Sequence, residues 1–394
     1  MSDEGPKIET EVRHTQSKVP PRDRPLLPLP DAALGGYLPG TQPCPWRSDA
    51  TLSIGGTIGA TPEDFVVEER PLYLPSGEGQ HWMSLVLKRD QSSERLIIRA
   101  AEAANCRPEE VGYAGRKDRR AVTLQWLTTP APINAAIFDG EGFQLLGAGQ
   151  HRNKLKLGHL GGNQFTIRLE DLNAPAQLPR ILKSLAGHTL NYFGHQRFGR
   201  NGENLRWARR LLERPPRRKL KRRERFALSA LQSAIFNQWL GARVKDGLLD
   251  QLLPGDVCKP IHGGSFIVES IEEENARLAR GEIELLGPLP GPKLFSAQGP
   301  ALERERALFE AWGLDERAQR ALSRAWRGGR RAALVPVKGL QIQGEGRERL
   351  LTFRLPPGAF ATTFIGELIK GELRAPIAAP PSASVAPAEP EAAP

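Results

Sequence analysis

The order in which hydrophobic patterns succeed one another constrains this 394-residue chain more than any one motif does. Over residues 51–186 short apolar runs of strand length dominate, at 65–69, 81–88, 111–114, 122–127, 155–157 and 165–169, with glycine-rich turns between them. Two helices interrupt them: 93–104, after a Ser-Ser start, and 178–185, after a proline. Helical spacing then takes over, at 203–212, 226–244, 301–312 and 316–326. Residues 350–355 read as a strand again, and PPGAFATTFIGELIK repeats its apolar positions at helical spacing. A strand-rich pattern that stops and resumes implies an α+β domain interrupted by an insertion in which helices dominate. The expected division is a Pro/Gly-rich leader at 1–50, a first domain at 51–186 and 334–373, an inserted domain at 187–333 and an Ala/Pro-rich tail at 374–394. That tail cannot bury enough apolar area to offset the entropy of ordering it.

With 39% hydrophobic residues the chain can bury a substantial core, and its length suits two domains. The net charge of +10 points to an acidic partner, nucleic acid first and an anionic membrane surface second. There is no run of eighteen apolar residues, and MSDEGPKIETEVRH lacks the apolar core of a signal peptide, so a cytoplasmic protein without a membrane partner is expected. Cys44, Cys106 and Cys258 are too few and too dispersed for a disulfide framework or a CxxC zinc site. No metal is implied.

The segment VGYAGRKDRRAVT, 111–123, carries the most chemistry. It brings an apolar strand into a glycine turn, with Gly115 suited to positive φ, and presents one acid, Asp118, amid Arg116, Lys117, Arg119 and Arg120. Nearby cations favour the ionised carboxylate and attract a polyanion, whereas a solvated charged turn would need no such function. IGGTIGA, 54–60, lacks the Lys-Ser/Thr of a phosphate loop and leads into a strand, so it is discounted. The seven histidines form no HExxH or i, i+4 pair. His195 lies in NYFGHQRFGRNGENL, where aromatic, glycine and basic residues interleave, as they do both in RNA-contact loops and in packed hinges. RPPRRKLKRRER, 214–225, has eight cations and one acid; Arg217, Arg218, Arg222 and Arg223 are its candidate phosphate contacts.

Six blocks in order, TPEDFVVEE, GYAGRKDRRAVTLQW, KLGHLGGNQFTIRL, NYFGHQRFG, SALQSAIFNQWL and LPPGAFATTFIGELI, resemble the ordered signature of the TruD family of tRNA pseudouridine synthases. The resemblance covers most of residues 51–371. It implies a mixed α/β catalytic domain split by a largely helical insertion, with tRNA held in the cleft between them. It also implies isomerisation of uridine 13 in certain tRNAs without cofactor or metal.

By the same resemblance Asp118 matches the catalytic position, Asn163 and Phe165 in GGNQF match a base pocket, and Phe65 in PEDF matches another active-site aromatic, while Glu63 and Asp64 shape a turn. An ionised carboxylate near C1′ can attack the sugar, attack the uracil or abstract a ribose proton, and the residues alone leave the three routes open. The flipped uridine calls for an aromatic platform and hydrogen bonds to its edge. One departure is Gly59, where the family commonly carries a Lys or Arg able to pair with the catalytic acid; Arg116 or Lys117 are the substitutes in view. The expectation is a monomeric, cofactor-independent tRNA pseudouridine synthase. The alternative is a non-catalytic RNA-binding or RNA-folding protein on the same fold.

Overall fold

The computed structural model describes residues 44–199, 202–212, 220–312, 314 and 327–371. Its elements run in the order β1 (Thr57–Ile58), β2 (Phe65–Pro71), β3 (His81–Arg89), α1 (Ser93–Ala103), β4 (Gly112–Tyr113), β5 (Val122–Thr129), α2 (Ala135–Phe138), β6 (Phe143–His151), β7 (Leu160–Glu170), α3 (Leu178–Leu185) and β8 (His188–Leu190). They continue as α4 (Glu203–Leu212), α5 (Arg222–Lys245), β9 (Val257–Pro260), β10 (Phe266–Ile267), α6 (Ile271–Ala279), β11 (Ile283–Leu289), α7 (Gly299–Ala311), β12 (Gly329–Ala332), β13 (Leu334–Pro336), β14 (Lys338–Gln343), β15 (Arg349–Leu355) and α8 (Ala361–Ile369). No helix among the described residues is long and apolar enough to cross a membrane.

Nine strands form one mixed sheet in the order β14-β15-β7-β2-β5-β3-β6, with β1 on β7 and β4 on β5. β2 and β5 pair in parallel, and their other neighbours are antiparallel. The resumption of strand pattern after the helices therefore has a structural counterpart. β15, from the far end of the chain, pairs in register with β7, placing Phe353 opposite Phe165 and Leu355 opposite Asn163.

Alternation along these strands sorts residues onto two faces. One face carries Lys88, Thr123, Val67, Phe165 and Phe353 in a single row, because each lies opposite its neighbour in register. Two helical covers pack on this face. α3 and α8 contribute Leu178, Ile181, Leu185, Phe364, Ile365 and Leu368 to a cluster with Phe65, Val67, Phe165, Ile167 and Phe353. At the other end, Leu96, Ala100 and Ala103 of α1, spaced at i, i+4 and i+7, pack on Val86, Leu127 and Phe143. α1 starts where Ser92 caps it by accepting from the Arg95 amide at 3.1 Å.

The chain enters and leaves residues 191–333 through one antiparallel pair, with Leu190 opposite Leu334 and His188 opposite Pro336. Between them the 24-residue α5 is buried along most of its length, packing through Phe236 and Trp239. This region also contains the four-stranded sheet β10-β9-β11-β12, so it is less helical than its sequence pattern suggests. β11, IELLGPL, forms where the sequence pattern predicts no strand, although its glycine and proline would suit a turn. Gly287 is instead required by packing, since a Cβ there would lie 2.4 Å from Trp239 Cε3.

Other local expectations need correction. Residues 155–157 are not a strand, while β6 and β14 form where the sequence pattern predicts none. In β6, Gly147 and Gly149 mimic turn signals, yet β6 pairs with β3 through a register shift at Leu85/Val86. Ordered structure begins before Thr51. The backbone amides of Arg47 and Ser48 donate to the buried Glu367 carboxylate at 2.7 and 3.3 Å. The expected helix at 316–326 lies outside the described residues.

Gly287→Ala should destabilise the protein by about 1 to 3 kcal/mol, the usual cost of overpacking a filled core. Chemical denaturation measures this, and an unchanged midpoint would show that the contact between α5 and β11 yields easily.

Candidate active site

Between the two helical covers the sheet face turns polar. Ser84, Lys88, Thr123, Gln125, Glu69 and Asn163 all project there, on the strands β3, β5, β2 and β7. They are buried, and the side-chain oxygens Ser84 Oγ, Thr123 Oγ1 and Gln125 Oε1 have no hydrogen-bond partner among the described residues. Unpaired buried polar atoms are costly, so their concentration in one seam marks it as a site.

The loop joining β4 to β5 lies over this seam and carries Asp118. Three elements fix its backbone. Ser93 Oγ, at the start of α1, accepts from the Lys117 amide at 3.0 Å. Gln125 Nε2 donates to the Gly115 carbonyl at 2.8 Å, and Lys88 Nζ to the Asp118 carbonyl at 2.5 Å. Gly115 is not among the positive-φ residues, so its expected left-handed turn is not formed. The tight glycine is Gly162, at φ 140°, where a Cβ would lie 2.7 Å from the Leu355 carbonyl oxygen.

Burial pushes the Asp118 carboxyl above the ordinary carboxylate range, against the opposing pull of Lys88 and then Lys117. Lys88 is 0% exposed, and burial lowers its ammonium to about 8 despite the attraction of Asp118 and Asp90. Holding that charge at pH 7 costs roughly 3 kcal/mol relative to the unfolded chain. The cost is relieved as pH rises from about 8 toward the ordinary lysine value.

The cations beside Asp118 in sequence have separate commitments. Lys117 pairs with the buried Glu69 at 3.1 Å and donates to Asn163 Oδ1 at 2.7 Å. Burial raises the Glu69 carboxyl, with Lys117 opposing. Because Asn163 presents its oxygen to Lys117, its amide NH2 is left for another acceptor. Arg116 points outward to Glu94. Gly59 has no room for a side chain, since a Cβ would meet the Asp64 carboxyl carbon at 2.4 Å; Asp64 caps its own turn through the Thr61 amide and hydroxyl at 2.9 and 2.7 Å.

Phe165 lies in the apolar cluster, 5% exposed, stacked on Phe353 at 5.6 Å and edge-on to Phe65 at 6.2 Å. Phe65 is also buried there. Phe165 thus borders the seam one row from Asn163 and also serves the core. Two open cavities, of about 460 and 350 Å³, are lined by residues that include Lys259, Lys293 and Arg330 in the first and Tyr73, His81 and His159 in the second, and neither touches Asp118.

The outlying candidates are not gathered at the seam. His195 falls in a 3-10 turn, His195–Phe198. Arg217 and Arg218 lie outside the described residues. Arg222 and Arg223 are exposed in the first turn of α5, where the helix dipole disfavours cations, and Arg223 stacks over Trp207 at 4.3 Å. Sequence reasoning missed Lys88 and Glu69. Strand alternation held the signal, because SLVLK places Lys88 on the same face as Ser84 and Val86.

The chain matches the family model described as tRNA pseudouridine synthase D (TruD) over residues 47–222 and 217–368. It is 36% identical over 334 residues to a tRNA pseudouridine synthase D of Thermus thermophilus, covering 83% of this chain and 92% of that protein. It is 39% identical over 342 residues to that of Anaeromyxobacter dehalogenans, covering 82% and 95%. Its fold is similar to the crystal structure of a putative tRNA pseudouridine synthase D from Methanosarcina mazei, with TM-score 0.64, 21% identity and coverage of 83% and 96%.

Lys88→Met should raise the Asp118 carboxyl further, since removing a cation leaves burial opposed by Lys117 alone. Carboxyl carbon NMR through a pH titration measures this, and a carboxyl that titrates as in wild type would show that Asp118 does not feel Lys88. Stability at pH 7 should be retained, because a charged buried amine is replaced by an apolar chain of similar length.

Proposed function

We propose, from the premise that this chain belongs to the TruD family of tRNA pseudouridine synthases, that it isomerises a uridine of tRNA, uridine 13 by family expectation, at Asp118. The enzyme class is that of an isomerase. The reaction breaks the bond from N1 to C1′, turns the uracil and joins its C5 to C1′, with the C5 proton lost and N1 protonated. Atoms are conserved, so no cofactor is called for. Each route open to Asp118 uses its ionised form, either as a nucleophile or as a base. The observation that carries the reading is a desolvated carboxyl held by its own backbone to Lys88 beside a lysine-oriented amide.

In this reading Asn163 donates its NH2 to a uracil carbonyl, since its own carbonyl is taken by Lys117. Phe165 and Phe65 form the pocket floor. A detached uracil must be kept from water, and the apolar clusters on either side supply that exclusion. We further propose that residues 187–333 are the inserted unit, that residues 374–394 serve no catalytic role, and that the protein acts as a cytoplasmic monomer. The binding-only alternative rested on the missing cation at Gly59, and Lys88 supplies a buried cation from another strand.

Asp118→Asn should reduce pseudouridine formation on unmodified tRNA by several orders of magnitude while leaving tRNA affinity within a few-fold. Nucleoside analysis after single-turnover incubation is the measurement; wild-type turnover by the variant would remove Asp118 from catalysis, and no pseudouridine from the wild type would favour the binding-only reading.

Phe165→Leu keeps most of the core volume but removes the ring. A ring contact to the base contributes roughly 1 to 3 kcal/mol, so turnover should fall by about 10- to 100-fold with a small change in melting temperature. An unchanged rate would leave Phe165 a core residue alone.

A further inference from the structure

The protein pairs most of its buried arginines with acids. Arg89 meets Glu63 at 2.6 Å, Arg243 meets Asp256 and Arg330 meets Glu305. Arg197 and Arg331 differ. Arg197 donates to Ser233 Oγ at 3.2 Å and Ser229 Oγ at 2.5 Å. Arg331 donates to the Asn191 carbonyl at 3.0 Å, to Asn191 Oδ1 and to the Gly358 carbonyl at 3.0 Å. Every one of these acceptors is neutral.

Both guanidinium groups lie against one ring, with Arg331 4.0 Å and Arg197 5.8 Å from the centroid of Phe193. Burial lowers both, and for Arg331 the like charge of Arg197 adds to the effect. Both residues are half-buried, and each keeps one terminal nitrogen, Nη1, that bonds no described residue. Two like charges held close together without an acid among the described residues oppose folding unless an anion completes the arrangement.

Their place in the fold says what that anion meets. Arg331 lies in β12, just before the chain returns to the large sheet, and Arg197 follows β8, by which it leaves. Gly358, which accepts from Arg331, is three residues beyond Leu355, and Leu355 lies directly opposite Asn163. Phe193 also packs against Phe360 at 6.1 Å. The pair therefore stands at the junction of the two units, beside the Asn163 end of the seam.

We propose that Arg197 and Arg331 form a paired phosphate site for the RNA backbone at this junction, an inference that rests on the tRNA-substrate reading above. Guanidinium groups suit phosphate oxygens, and the neutral anchors hold each fork in place while leaving Nη1 to donate. One phosphate bridging both would tie the inserted residues to the catalytic sheet when RNA is bound.

The test titrates an unmodified tRNA transcript against wild type, Arg197→Gln and Arg331→Gln over about 50 to 200 mM salt. Each variant should flatten the slope of log affinity against log salt by about 0.7 to 0.9 and weaken binding several-fold. Wild-type slopes in both would overturn the proposal and leave the pair as hinge packing. Since either variant could fail to fold, the wild-type protein is also labelled with an arginine-selective dicarbonyl reagent, with and without saturating tRNA, and mapped by mass spectrometry. Protection of Arg197 and Arg331 by tRNA supports the site, and labelling that tRNA leaves unchanged overturns it. Pseudouridine formation by the wild type on the same transcript separates the two readings: if it proceeds while slopes and labelling are unaltered, only the phosphate site fails.

Discussion

A lysine with no exposed surface must find acceptors inside the protein, and Lys88 finds the backbone carbonyl of Asp118. Much of the site follows from that bond. It draws the loop joining β4 to β5 down onto the sheet, where Ser93 and Gln125 hold it from two further elements. With the loop in that position Lys117 reaches Glu69 and Asn163 across the adjacent strands. A cluster of this kind would be too costly in a loosely built region. Here it is bounded on the same sheet face by two apolar clusters, one under α1 and one under α3 and α8, whose packing offsets the desolvation of the polar groups between them.

The cation near Asp118 comes from a different strand because position 59 is closed to a side chain. Residue 59 is adjacent to the Asp64 carboxylate, which is occupied in capping its own turn and pairing with Arg168 at 3.2 Å. A side chain at 59 would displace that carboxylate. β3 approaches Asp118 from the opposite side, and its alternation places Lys88 inward without disturbing the turn. What matters electrostatically is the position of the charge relative to the carboxyl, and a residue separated by thirty positions in sequence satisfies it.

Legibility in the sequence divides along physical lines. Strands with continuous or alternating apolar residues, such as FVVEE and HWMSLVLK, could be read because periodicity is local, and so could the return of the first domain at residues 350–355. β6 and β11 could not, because their glycines and prolines carry turn signals whose meaning depends on a partner strand or a packed tryptophan elsewhere in the chain. The loop that carries Asp118 was legible through its surrounding motif, while Glu69 was hidden inside a strand that reads equally well with any residue there. Phe165 shows the opposite limit. Its motif marks a base platform, and only the packing against Phe353 and Phe65 shows that the same ring belongs to the core.

The distribution of charge separates two tasks that the basic loop first suggested were one. Lys117 and Arg116 are each matched by an acid, so these two cations add little net field toward solvent. Lys88 and Lys117 set the carboxyl, and Lys117 sets the amide; both are buried and so shielded from salt. Among the described cations that form no ion pair are those at the Phe193 junction and, in the first turn of α5, Arg222 and Arg223, where a helix dipole opposes them. Those positions carry an electrostatic cost that no ion pair within the described residues offsets, and a polyanion lying across both units would relieve it. Attraction of RNA should then respond to ionic strength through one set of residues, while the poise of Asp118 depends on another that ionic strength barely reaches.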